Sequence, residues 1–239
     1  MPVVPAVDRI QPFGTPRRWL VFAVGITSLI LGISLAITAE LGVGSWQVLE
    51  TGLVEATGLG FGTVVLLEAA VALTVAWVWL GERPWIATVV LGFGGVGIGA
   101  VLGVLDTPAS LPGRAALLAL GIVLLAVGVA FYLASDLGAS AQDALFVGIY
   151  RRYRIRPAVV RLAIDATAVA AGFLLGGQLG AGTVVVTFAV PALIEPALRL
   201  GHHLAATPLP EAMARSPRPD VLAADVVAAE VVDRTPPVG

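Results

Sequence analysis

The sequence has no cysteine, no lysine, two methionines and two histidines, and only 13% of its 239 residues are charged. Each scarcity excludes something. Without cysteine there is no disulfide framework, no thiolate metal site and no cysteine nucleophile. With so little charge the chain cannot cover a water-facing surface, for which about 25% is usual. An ordinary soluble enzyme, a nucleic-acid binder and a disordered chain are thereby excluded. All 14 basic residues are arginine, as a GC-rich coding bias would produce, and the net charge of −2 argues against a polyanionic partner. What the chain does have is apolar: 58% of its residues are hydrophobic, and its mean hydropathy is +0.95. That composition predicts an all-α polytopic membrane protein.

Six stretches reach the ~20 apolar residues that a bilayer crossing needs: Trp19–Thr38, Phe61–Leu80, Trp85–Leu105, Ala115–Ala134, Ala158–Gly176 and Gly180–Leu200. Trp19, Trp79 and Trp85 mark span ends, as an aromatic belt does. The first span is too long for a signal-peptide core, and no small-residue cleavage site follows it. Residues 1–18 read as a cytoplasmic tail, and 201–239 as a polar, mostly disordered cytoplasmic tail with a weak helix over Asp220–Val232.

Between the tails the chain repeats itself at an offset of 96 residues: Gly25-Ile26 falls on Gly121-Ile122, Gly32 on Gly128, Glu40-Leu41-Gly42 on Asp136-Leu137-Gly138, and Leu49 on Leu145. Residues 19–105 form one membrane repeat and 106–200 the other. Each is a long span, a short Gly-rich apolar segment, then two spans. The short segments, Leu41–Val54 and Leu137–Tyr150, are 14 residues each. As helices they reach about 21 Å, less than the ~30 Å hydrocarbon core, so they are expected to be re-entrant or interfacial. Three spans per half is odd, so the second half must enter the membrane upside down, an inverted repeat of the kind used by secondary transporters. With the N-terminus inside, Arg9, Arg17, Arg18, Arg83, Arg151, Arg152, Arg154, Arg156 and Arg199 are cytoplasmic and only Arg114 is outside, which obeys the positive-inside rule. An eight-span arrangement would exchange only Arg83 and Arg114.

Ionisable groups in the bilayer are costly and need a reason. Glu68 lies in the second span, Arg161 and Asp165 in the fifth and Glu195 in the sixth. Arg161 and Asp165 are spaced i,i+4 and can pair, which would neutralise them and bind helices together. Glu68 aligns within one residue of Asp165 across the repeat. Two such acids facing a common interior would suit a cation or proton-coupled site. Glu195, near the cytoplasmic end, is expected to snorkel or pair with Arg199. The short segments supply the other candidates: Gly44, Ser45, Trp46 and Gln47 in the first, Ser140, Gln142 and Asp143 in the second. Small residues there let the backbone bend and present amide N–H groups, and the side chains that follow could contact a solute. The plainer reading is that the glycines only separate helices and that Trp46 anchors an interface.

Several patterns carry no chemistry. Gly92-Phe93-Gly94-Gly95-Val96-Gly97 matches a dinucleotide fingerprint but lies inside a span and follows no strand. Gly95, Gly99 and Gly103 recur every fourth residue and suit close helix contact, within the subunit or in a homo-oligomer. Adjacent His202 and His203 do not face the same way and have no third ligand nearby. No zinc-protease motif, P-loop or nucleophile elbow is present. No catalytic residue, metal or cofactor is therefore expected, and the chain reads as a non-enzyme.

The order of these motifs resembles the YczE/YyaS/YitT group of bacterial integral membrane proteins, most closely its YczE branch. The resemblance spans about Leu20 to Leu200. It rests on Glu40-Leu41-Gly42-Val43-Gly44-Ser45-Trp46-Gln47-Val48-Leu49, on Gly58-Leu59-Gly60-Phe61-Gly62-Thr63, on Leu137-Gly138-Ala139-Ser140-Ala141-Gln142-Asp143-Ala144-Leu145 and on Gly176-Gly177-Gln178-Leu179-Gly180-Ala181-Gly182-Thr183. Ser45 replaces that branch's usual proline, Gln47 its first aspartate and Gln142 its arginine. The resemblance implies a membrane fold and a bacterial cytoplasmic-membrane location rather than a substrate. Taken together, these features predict a transporter or permease for a small solute, with Glu68 and Asp165 as binding or coupling acids. The alternatives are a regulator or assembly partner docking through Arg151–Arg156 and the C-terminal tail, and a substrate-binding subunit of a multicomponent transporter.

Overall fold

A proline in the first turn and a left-handed residue after the last delimit the first helix of each half. In the computed structural model, which describes residues 14–81, 86–138, 140–153 and 157–208, α1 spans Pro16–Ala39 and α5 spans Leu111–Ala134. Pro16 and Pro112 sit where the missing N–H has no intrahelical partner anyway. Glu40 and Asp136, repeat counterparts, both take φ > 0 after the helix (51° and 59°), and so do Gly42 and Gly138. Left-handed residues at equivalent repeat positions thus follow both helices.

The remaining helices follow the same order. α2 is Ser45–Thr57, and α3 is Phe61–Thr74, continued by a π-helical turn over Val75–Trp79. α4 is Ile86–Leu102, α6 is Ala141–Tyr153, α7 is Pro157–Leu174 and α8 is Ala181–Ala205. Among the described residues there is no strand. Four helical stretches are long and apolar enough to cross a membrane: Pro16–Thr38, Phe61–Trp79, Leu111–Ala134 and Ala181–Ala205. The other two expected spans are shorter. α4 contributes the apolar stretch Val89–Leu102, and α7 has 18 residues that include Arg161 and Asp165. The expected tails beyond residues 14 and 208, the Asp220–Val232 helix, Trp85, Arg9, Arg83, Arg154 and Arg156 lie outside the described residues.

α1 and α5 form the central pair, and they run antiparallel. A Cβ on Gly25 would strike Gly128 O and Phe131, and one on Gly32 would strike Gly121 O and Leu125. An early residue of one helix therefore meets a late residue of the other, at backbone-to-backbone range that only glycine permits. Ion pairs close both ends reciprocally: Arg18 with Asp136 (3.5 Å) and Arg114 with Glu40 (3.2 Å). Arg114 is the repeat counterpart of Arg18, and Asp136 of Glu40.

The long outer helices stay within their own halves, whereas the short ones cross to the other half. α4 packs on α1 and α8 on α5; the short α2 packs on α7, and the short α6 on α3. One apolar core, including Phe22, Phe131, Tyr132, Phe146 and Leu198, lies toward the start of α1. A second, including Ile37, Val43, Val48, Phe61 and Val186, lies toward its end. α8 continues past the expected end at Leu200 to Ala205. Its last turn is held by Arg17, which donates to the carbonyls of Leu204 and His203, and by a buried chain in which His202 meets Thr207, whose hydroxyl donates to Ala134 O (2.8 Å). Cationic or hydroxyl donors at a helix C-terminus satisfy carbonyls that otherwise lack partners.

Candidate functional site

The short helices α2 and α6 bring their apolar faces to two cavities that share Trp46, Leu49 and Leu145 as a common wall. One, of about 440 Å³, is lined by Val64, Leu67, Glu68, Val71, Ala72 and Val75 of α3 and its π-helical turn. The other, of about 370 Å³, is lined by Val160, Ala163, Ile164, Thr167, Ala168 and Ala171 of α7. Adding 96 to each α3 number gives the α7 residue, and Leu49 becomes Leu145 by the same step. The cavities are two versions of one site. They differ in chemistry where Glu68 of the first is Ile164 of the second, and Val71 is Thr167.

Glu68 does not stand alone. Both its oxygens accept from Gln142 Nε2 of α6 (3.3 Å each), and its carboxyl meets that of Glu50 from α2 within hydrogen-bonding reach. Glu50 is 2% exposed, and its Oε2 has no hydrogen-bond partner. Three helices from both halves thus converge on two carboxyl groups and one amide. The repeat counterparts of Glu50, Glu68 and Gln142 are Phe146, Ile164 and Trp46, so this polar cluster occurs once.

Asp143, the next residue along α6, belongs to a second cluster. Ser140 Oγ donates to its carboxylate (2.7 Å), as do the Ser140 amide (3.3 Å) and the Tyr132 hydroxyl. Asp143 N in turn donates to Ser140 Oγ (3.1 Å). This reciprocal pair is a capping box with Asp in the third helical position. The carboxylate therefore occupies the helix N-terminus whose amide N–H groups the small residues present. Arg161 of α7 pairs with Asp165 (3.0 Å), as the i,i+4 spacing predicts. Glu195 likewise pairs with Arg199 (2.9 Å).

Glu68 and Asp165 consequently have different partners: Glu68 has Gln142 and Glu50, whereas Asp165 has Arg161. In the first short segment, Gly44 is the N-cap of α2 and Ser45 its first residue. The Gln47 side chain curls back over Gly44, and only Trp46 of that group lines the cavities. Gly95 and Gly99 lie against Gly62 and Val65 of α3 within the same chain, while a Cβ on Gly103 would meet only carbonyls of its own helix. No group of three or more His, Asp or Glu residues suited to a metal occurs among the described residues.

Sequence reasoning that weighed only charges inside full spans passed over Glu50. Its signal was available: an acid in an otherwise apolar stretch, one helical turn after Trp46. Tyr132 carried no such signal, because a tyrosine near a span end is ordinary interface composition.

Four helical stretches long and apolar enough to cross a membrane define an integral membrane protein. Within that class the chain belongs to a family of unknown function, DUF6198, which matches residues 16–197, and it is YczE-like. An uncharacterised protein of Haemophilus influenzae is 32% identical over 183 residues, covering 74% of this chain and 80% of the relative. The uncharacterised membrane protein YczE of Bacillus subtilis is 27% identical over 190 residues, covering 74% and 87% respectively. No solved structure matches.

Proposed function

We propose that the protein is a permease for a small solute in the bacterial cytoplasmic membrane, with its site where α2 and α6 meet between the two halves. The observation that carries this reading is the pair of cavities whose walls are related by the 96-residue repeat. A site duplicated about a pseudo-two-fold axis is what alternating access requires, because each half can close over the same solute in turn. Volumes of about 370 and 440 Å³ fall within the roughly 300–1,000 Å³ of small-molecule pockets.

The membrane arrangement belongs to the same proposal: six spans in two inverted repeats, with both termini inside. Equivalent helices α1 and α5 run in opposite directions, which needs an odd number of crossings before α5. α1, α3 and α4 provide three; if the short helix α2 also crossed, the number would be even. α2 has 13 residues, about 20 Å as a helix, short of the ~30 Å core.

The walls are almost entirely hydrocarbon, with Trp46 as the shared aromatic face and Glu68 as the ionisable group. The solute is therefore small and largely apolar with a polar handle. Glu68 and Asp165 are its acids, the first on a cavity wall and the second paired with Arg161. A thermal-stability screen of the purified protein against ions, amino acids, nucleosides, sugars and lipid head groups tests this. A true solute at 100 times its dissociation constant adds about 2.7 kcal/mol, and the gain disappears in Trp46→Ala and Glu68→Gln. No stabilising compound in any class, or a stabilisation indifferent to Trp46→Ala, overturns the reading.

A further inference from the structure

We propose that Glu50 and Glu68 share one exchangeable proton, which enters and leaves through the cavity that Glu68 lines. The proposal names the coupling ion of the permease and depends on that reading only for its use in transport; the proton site stands on its own geometry. Two carboxyl groups in contact inside an apolar bundle cannot both be ionised without strong repulsion, and an unpaired buried charge is costly. Something positive must lie between them. Among the described residues neither has an ion-pair partner.

Groups on the neighbouring helices are already engaged. Arg161 and Asp165 on α7 pair with each other. Asp143 on α6 is held by Ser140 and Tyr132, and Arg152 donates to Trp79 O (3.0 Å). Glu55 of α2 is exposed and lies against Gly176. α4 has no charged residue between Ile86 and Leu102.

A metal cation fits this donor set poorly. Gln142 turns N–H donors, not its carbonyl, toward Glu68, and the two carboxyl groups fall short of the oxygen shell that a hard cation takes. A proton needs only two facing oxygens. Glu50 Oε2 is buried without a partner, Glu50 is shut off from the surface, and Glu68 opens on the cavity. The path is therefore ordered: cavity to Glu68, and Glu68 to Glu50. On release the proton leaves to the cavity, and a solute cation or a second proton must take its place between the two carboxyl groups. The counterpart residues Phe146 and Ile164 carry no acid, so the repeat does not duplicate this proton site.

The probe is dicyclohexylcarbodiimide, an apolar reagent that adds to the protonated carboxyl: the acid oxygen bonds to the central carbon and the acid proton ends on nitrogen, with no leaving group. Purified wild-type protein is treated at pH 6, 7 and 8, and the adduct is located by mass spectrometry. The expected result is labelling at Glu68 that falls as pH rises. Glu50→Gln replaces the shared proton with a fixed amide donor, so Glu68 no longer takes that proton and labelling at pH 7 drops about tenfold or more, the change that one pH unit of titration produces. Should Glu50→Gln fail to give monodisperse protein, Gln142→Leu is the converse test: without its donor, Glu68 labels more strongly. Unlabelled Glu68 at pH 6, or labelling indifferent to the substitution tested, overturns the proposal. The two readings fail separately. Labelling with no solute found sinks the permease and leaves the proton site, whereas a solute bound by protein that does not label sinks the proton site alone.

Discussion

Asp143 accepts from three groups contributed by Ser140 and Tyr132, and each removes part of the cost of a carboxylate inside the bundle. Tyr132→Phe deletes one donor while keeping the ring in its apolar core. A hydrogen bond to a charged group contributes roughly 1.5–3 kcal/mol, and thermal unfolding in detergent should register a loss of that size. An unchanged midpoint would show that Tyr132 only fills space. Thr207→Val is the milder counterpart, because it breaks neutral contacts to Ala134 O and His202 and should cost about 1 kcal/mol. At this scale the sequence was informative about charge and silent about partners. The Arg161–Asp165 pair could be read from i,i+4 spacing, since both residues lie on one helix. The Glu50–Glu68–Gln142 cluster could not, since its members come from three helices and no local period links them.

Among the elements, α2 and α7 show what close approach demands. A Cβ on Gly172 would lie 2.3 Å from Val48 O, and one on Gly52 would lie 2.4 Å from Gly172 O. Gly172→Ala must push the helices apart and should cost about 1–3 kcal/mol, as overpacking does. Gly103→Ala places its Cβ no nearer than 3.5 Å to any atom it meets and should change stability by less than about 0.5 kcal/mol. Paired unfolding curves of the two variants separate these outcomes, and equal effects would mean that the α2–α7 contact is not tight. The every-fourth-residue glycines of α4 announced a close contact but not its partner, which is Gly62 and Val65 of the same chain.

For the whole molecule, the inverted arrangement predicts that the ends of α1 and α5 face opposite sides of the membrane. The absence of native cysteine makes this direct to test. Thr15→Cys, at the start of α1, should react with an impermeant maleimide only after the cytoplasmic face is exposed, and Ser110→Cys, at the start of α5, should react in intact cells. Reaction of both from one side would overturn the six-span inverted plan. The reciprocal pairs Arg18–Asp136 and Arg114–Glu40 are partly exposed and should each contribute under about 1 kcal/mol. They register the helices more than they stabilise them.

Membrane character, helix order and the 96-residue repeat were legible in the chain because they depend on composition and on spacing along one strand of sequence. Bilayer thickness converts hydrocarbon run length into helix length, and a duplicated pattern of glycines and turn residues repeats whatever local structure it encodes. Which helix faces which is a different kind of fact. The crossing of α2 onto α7 and α6 onto α3, the two matched cavities, and the meeting of Glu50 with Glu68 all depend on contacts between residues far apart in sequence. Those contacts are selected by shape, where glycine lets backbones touch, and by the need of each buried polar group for a partner. Only the folded molecule brings them together.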